Sequence, residues 1–96
     1  MIRILTPAQR GVEDAINYYS TIDHSLAGRF IADFEATVQR IAKSPSAFRI
    51  QFATIRRLNL KKFPFGIHYL IDGQDIAILS LIHLHSDPAD WEHDIS

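Results

Sequence analysis

The apolar positions change period along the chain, from a helical spacing in the first half to alternation in the second. "IRIL" alternates briefly, and Thr6-Pro7-Ala8-Gln9 then carries helix-start chemistry: Thr as N-cap, Pro at the first helical position and Gln closing a capping box. Val12, Ala15, Ile16 and Tyr19 put one apolar stripe toward a core and leave Glu13, Asp14 and Asn17 in water, and the pattern predicts an end near Ser20 and Thr21. Asp23 or Ser25 can cap a second helix, whose stripe is Leu26, Phe30, Phe34, Val38 and Ile41. Ser44-Pro45 ends it, because a residue before proline is pushed out of helical geometry. The short connection predicts an antiparallel helical hairpin. Gly28 costs its helix about 1 kcal/mol relative to Ala, and close approach of the first helix is the expected reason for it.

After the irregular "SPSAFRIQFAT", Leu58 and Leu60 point one way while Arg57, Asn59 and Lys61 point the other, which describes a strand with one buried and one cationic face. "FGIHYLI" sets Phe65, Ile67, Tyr69 and Ile71 against His68 and Leu70, with the face of His68, open or core, left to the register. "DGQD" supplies a turn into "IAILSLIHL", which is apolar on both faces and so belongs inside a sheet. The expectation is one α+β domain over residues 1–96 in the order β-α-α-β-β-β. The helical hairpin would pack on one face of a mostly antiparallel four-stranded sheet, leaving the other face partly open to a partner.

Composition narrows this picture. A chain of 96 residues with 47% hydrophobic content supports a single core. It has no cysteine, so disulfides and thiolate zinc sites are excluded, and a cytoplasmic protein is expected. "MIRILTPAQ" has no signal-peptide features, and the longest apolar stretch is too short to span a bilayer, so no membrane association is expected. The net charge of −1 conceals an asymmetry. Between Glu35 and Asp72 there is no acid, while Arg40, Lys43, Arg49, Arg56, Arg57, Lys61 and Lys62 all fall there, and from Asp72 onward there are acids but no Lys or Arg. Such a block is either a solvated surface or a site for an anionic partner.

The richest local chemistry is in "HLHSDPADW". His83 and His85 are two apart on a strand, share a face and could serve as base and acid in proton transfer. With Asp87 or His93 they offer zinc-type ligands, but no second closely spaced motif completes a tetrahedron, so neither metal nor cofactor is expected. Asp87-Pro88 makes a turn, and Trp91 is expected to pack back on the sheet.

Five short motifs occur in order: Tyr18-Tyr19 ending the first helix, Leu26-Ala27-x-Arg29-Phe30 opening the second, Ile41-x-x-x-Pro45 closing it, Phe63-Pro64-Phe65-x-Ile67-x-Tyr69, and His83-x-x-x-Asp87-Pro88-x-x-Trp91. Together they resemble the RelE/ParE superfamily of type II toxin–antitoxin toxins over nearly the whole chain. The resemblance implies a small bacterial toxin held inactive by an antitoxin, with two mechanisms to choose from. RelE-like members cleave mRNA in the ribosomal A site, and ParE-like members poison DNA gyrase without cleavage chemistry. Cleavage through a 2′-hydroxyl needs a base, an acid and fixed cations at the phosphate. Nuclease members typically carry Arg between the tail His and Asp-Pro and a Tyr near the C-terminus. Here those positions hold Leu84, His85 and Ser86, and no Tyr follows Tyr69.

The resemblance therefore implies first a ParE-like gyrase inhibitor in a hetero-oligomer with an acidic antitoxin segment that folds on binding. Arg56, Arg57, Lys61 and Lys62 would contact its acids, and the groove between hairpin and sheet would take its apolar residues. DNA would be reached only through the antitoxin. The alternative is a ribosome-dependent mRNA endonuclease with Arg56, Arg57 and Lys61 at the phosphate and His83 or His85 in proton transfer. A third reading is a non-toxic interaction module of the same fold.

Overall fold

A computed structural model describes residues 1–84. The elements are β1 (Ile2–Ile4), α1 (Thr6–Ile22), α2 (His24–Lys43), a 3-10 turn (Pro45–Ala47), β2 (Ile50–Phe52), β3 (Ile55–Asn59), β4 (Phe65–Asp72) and β5 (Asp75–His83). They form one sheet in the order β1-β5-β4-β3-β2. The α+β class, the helical hairpin and the mostly antiparallel sheet are as expected, with five strands where four were anticipated. The extra strand is β2, all of whose residues are exposed. No apolar alternation marks it, and only pairing with β3 defines it. β1 runs parallel to β5, and the long connection that parallel neighbours need is here made of both helices and the strands β2 to β4.

The helices begin and end for local reasons. Leu5 occupies the N-cap of α1 in an extended conformation and offers no side-chain cap, so the capping box expected from Thr6 and Gln9 does not form. Gln9 instead donates from Nε2 to the Ile4 carbonyl, 3.0 Å away. Asp23 does cap α2, accepting from the Ser25 N–H at 2.9 Å, and this bond holds its carboxyl below the usual carboxylate range. α2 runs to Lys43 and stops at Ser44 before Pro45.

Phe30, Phe34 and Ile41 of α2 and Ala8 and Ala15 of α1 bury themselves against Ile67, Tyr69, Ile76 and Ile78 of the sheet. β5 keeps its apolar residues on this side through a bulge. His68 of β4 pairs with Ser80 but Tyr69 pairs with Ile78, so Leu79 is the extra residue. Ile76 and Ile78 before the bulge, and Leu81 and His83 after it, therefore face the helices. This phase change is why the strand reads as apolar on both faces, and it lies between β1 and β4 as expected.

Close helix–sheet approach occurs at Gly11, not at Gly28. A Cβ on Gly11 would sit 3.2 Å from the Cβ and carbonyl oxygen of Leu81, whereas one on Gly28 would meet nothing within 4 Å. The expectation for Gly28 is thus corrected: it lies on an exposed part of α2. The β4–β5 turn has Gly73 at φ 63°, and the β2–β3 turn has Ala53 at φ 51°.

Candidate functional site

The alternation of β3 divides its two arginines between the faces of the sheet. Arg56 is paired with Tyr69 and Arg57 with His68. Tyr69 is fully buried among core residues, so Arg56 shares the helix-packed side. Its Nη1 donates to the carbonyl oxygens of Phe48 at 2.7 Å and Ser46 at 3.2 Å. The Tyr69 hydroxyl donates to the Pro45 carbonyl at 2.6 Å. Burial pushes the Tyr69 phenol above its ordinary range, with Arg56 acting in the opposite sense. Arg56 and Tyr69 together pin the 3-10 turn and the residues after it.

That pinning places Phe48 and Arg49 beside the edge of β3. The last β2–β3 backbone contact is the Arg57 N–H to the Arg49 carbonyl, at 3.1 Å, and Leu58 and Asn59 have no β2 partner. Around this free edge lies a groove of about 440 Å³ lined by Arg40, Arg49, Arg57 and Lys61 together with Phe48, Gln51, Leu58 and Asn59. The Arg40 guanidinium lies 5.7 Å from the Phe48 ring centroid, within cation–π range. Among the described residues no acidic one lines the groove. Four cations beside unpaired strand edge suit an extended, acidic segment, which can add backbone hydrogen bonds and ion pairs together.

Lys61 and Lys62 are set by a carboxylate from the facing helix. Asp33 of α2 is only 8% exposed, and it accepts from the backbone N–H groups of Lys61 at 3.3 Å, Lys62 at 2.8 Å and Phe63 at 3.0 Å. The β3–β4 loop is thus clamped to α2. Lys61 and Lys62 also line a smaller hollow of about 210 Å³ with Arg29 and Asp33.

Of the residues singled out in the sequence, Arg57 and Lys61 meet in the cationic groove, Lys62 lies beside it, and Arg56 is drawn into supporting the turn. Arg40 and Arg49 join the groove, and the acid-free run from Glu35 to Asp72 was their signal in the sequence. Asp33 carried a subtler one, an acid at an apolar-face position beside Phe30 and Phe34.

The histidines are divided. His68 lies on the open face between Arg57 and Ser80, with the Phe52 ring edge-on at 6.4 Å. Burial, then the charge of Arg57, lowers its pKa below the ordinary value. His83 is paired with Phe65 and lies on the helix-packed side, its ring 5.0 Å from that of Phe65. His83 and Arg57 are therefore on opposite faces of the sheet and are not brought together. His85, Asp87, Trp91 and His93 lie outside the described residues. Among the described residues no three His, Asp or Glu side chains are grouped to hold a metal, and no helix is long and apolar enough to cross a membrane.

A second groove, of about 660 Å³, is apolar. Ile4 of β1, Val12 and Ile16 of α1 and Ile31, Phe34 and Val38 of α2 line it, with Glu35 and Gln39 also contributing. It is the space between the helical hairpin and the β1 edge of the sheet, and its volume falls in the range of ligand clefts, about 300–1,000 Å³.

Comparison with known proteins agrees with this architecture. A family model described as the ParE toxin of the type II toxin–antitoxin system parDE matches residues 2–88. Among solved structures, one from the chromosomal ParDE toxin–antitoxin system of P. aeruginosa superimposes with a TM-score of 0.76 at 18% identity, covering 88% of this chain and 95% of that one. No curated protein matches.

Proposed function

The chain belongs to the ParE toxin family of type II toxin–antitoxin systems, and from that premise we propose that it arrests growth by binding DNA gyrase and is silenced by direct binding of its antitoxin. The family match across residues 2–88 carries this reading. Support for binding over cleavage comes from the division of the cations and His83 between opposite faces of the sheet. A phosphate held by Arg57 and a proton-transfer group at His83 would have the sheet between them.

The antitoxin is proposed to use both grooves. Its apolar residues enter the cleft formed by Ile4, Val12, Ile16, Phe34 and Val38, and its acids meet Arg57 and Lys61 in the cationic groove and Lys62 beside it. Arg56 contributes indirectly by holding Phe48 and Arg49 in place. A disordered segment that folds on such a surface offsets its ordering entropy with contacts of both kinds.

Expression of the chain without antitoxin is the test. Growth arrest with double-strand breaks, an SOS response and intact mRNA is the expected outcome. Ribosome-dependent mRNA cuts abolished by His85→Ala would overturn it in favour of the endonuclease reading. Unimpaired growth would indicate a non-toxic interaction module.

A further inference from the structure

A further recess, between α1 and β5, shares no residue with the two grooves or the smaller hollow and has a different chemistry. It encloses about 370 Å³ and is lined by Asp14, Tyr18, Tyr19, Phe65, Leu81 and His83, closed at its base by Gly11 and Ala15. Its rings meet edge to face: Tyr18 and Tyr19 at 5.3 Å and 70°, Tyr19 and Phe65 at 6.4 Å and 78°. Aromatic faces carry negative potential and attract cations. Asp14 is exposed and makes no ion pair among the described residues, the pairs present being those of Met1 with Asp75 and Arg3 with Asp72. Arg10, one helical turn earlier, does not line the recess, and no Lys or Arg does. The Tyr19 hydroxyl has no hydrogen-bond partner among the described residues. Burial, then the neighbouring Tyr18, raises its pKa and keeps it a neutral O–H.

We propose that this recess receives a single arginine side chain presented by a protein partner, with the guanidinium between the tyrosine rings and the Asp14 carboxylate. Because no Lys or Arg among the described residues lines the recess, the cation is assigned to another molecule. Guanidinium fits better than ammonium because its planar fork can stack on a ring and still bond a carboxylate. A protein-borne arginine fits better than a free one because the margin is apolar and exposed. Tyr18 is 62% and Ile22 57% exposed, one turn apart on the same side of α1, and such neighbours suit the backbone and flanking residues of a partner. The proposal is independent of the gyrase reading, since it names a chemistry and not a target.

The full-length protein is titrated with the peptide acetyl-Gly-Arg-Gly-amide and with its citrulline counterpart, which keeps the shape and loses the charge. Binding is followed by NMR on the Tyr18 and Tyr19 ring resonances. The arginine peptide is expected to bind about tenfold or more tightly than the citrulline peptide, the effect of removing a desolvated cation–π contact and an ion pair together. Asp14→Asn and Tyr18→Ala, both at exposed positions, should each weaken it about threefold or more without changing the far-UV circular dichroism. Equal affinity for the two peptides, or variants that bind like the parent, would overturn the site. Free L-arginine binding as tightly as the peptide would overturn its assignment to a protein partner.

Discussion

Replacing Asp33 by Ala removes the acceptor of three backbone N–H groups at once. Hydrogen bonds to a charged group contribute about 1.5–3 kcal/mol each, but the three do not add. The Lys61 bond is long, at 3.3 Å, and the amides of exposed Lys61 and Lys62 can turn to water once the carboxylate is gone. Phe63 is half-buried and keeps more of the penalty. A loss of about 3 kcal/mol results, a large part of the roughly 5–15 kcal/mol that holds a small domain together. At about 4–8 °C per kcal/mol for a domain of this size, the melting temperature falls by about 12–24 °C. Asp33→Asn retains one accepting oxygen but turns an NH₂ toward donors, and should cost about 2 kcal/mol. Urea unfolding at fixed pH gives both values, and amide exchange reports on the clamp itself: Lys61, Lys62 and Phe63 should lose protection more than the amides of β5. A loss under about 0.5 kcal/mol, within the range of ordinary surface substitutions, or unchanged exchange at those amides would refute the clamp.

Three further outcomes follow from other parts of the molecule. Gly28→Ala should stabilise the fold by about 0.5–1 kcal/mol through helix propensity, whereas Gly11→Ala should destabilise it by about 1–3 kcal/mol because the methyl meets the β5 backbone; equal signs in urea melts would refute the assignment of the helix–sheet contact. His68 has a folded-state pKa below its ordinary value of 6.5, so the unfolded chain binds the proton more readily. Stability from this group is complete above that value and declines as pH falls through it toward the lower folded one; His68→Gln should flatten that part of the pH–stability curve, and identical curves would contradict the burial of His68. Arg57→Glu with Lys61→Glu should weaken antitoxin binding at least about tenfold at low salt and less at high salt, while Arg56→Ala should appear mainly as lost stability; calorimetric titration beside urea melts separates the two, and a salt-independent effect would argue against the cationic groove.

What could be read in advance followed burial. The stripe of α2 and the Ser44-Pro45 stop were visible because both the apolar period and the proline restriction are local properties. The Leu58/Arg57 division was visible because strand alternation fixes it whatever the partner strand. β2 was not legible, since an exposed three-residue strand is made by its neighbour and not by its own pattern. Thr6 and Gln9 look like a capping box, yet the chain leaves β1 extended through Leu5, and Gln9 finds the Ile4 carbonyl instead. Gly28 looked like the contact point because a glycine inside a helix carries a cost that close approach would explain, but only the packed structure shows that Gly11 is where α1 meets β5. The basic block was plain as a run of charge. That Arg56 supports the turn while Arg57 faces a partner depends on register with Tyr69 and His68, which no single segment specifies.

The position of β5 between β1 and β4 also governs when the molecule can assemble. β1 pairs with residues 76–78, so the two strands that must meet are separated by most of the chain, and closing so long a loop slows folding. As the polypeptide is synthesised, α1 has no sheet to lie on and β1 has no neighbour until the residues from Asp75 to His83 have emerged. A nascent chain stopped before Asp75 can still lay α2 on β4, but the apolar face of α1 that rests on β5 is left uncovered. Folding is in this sense postponed to the last strand, and the interval before it arrives is when chaperones or a binding partner have access to surfaces that the finished protein hides.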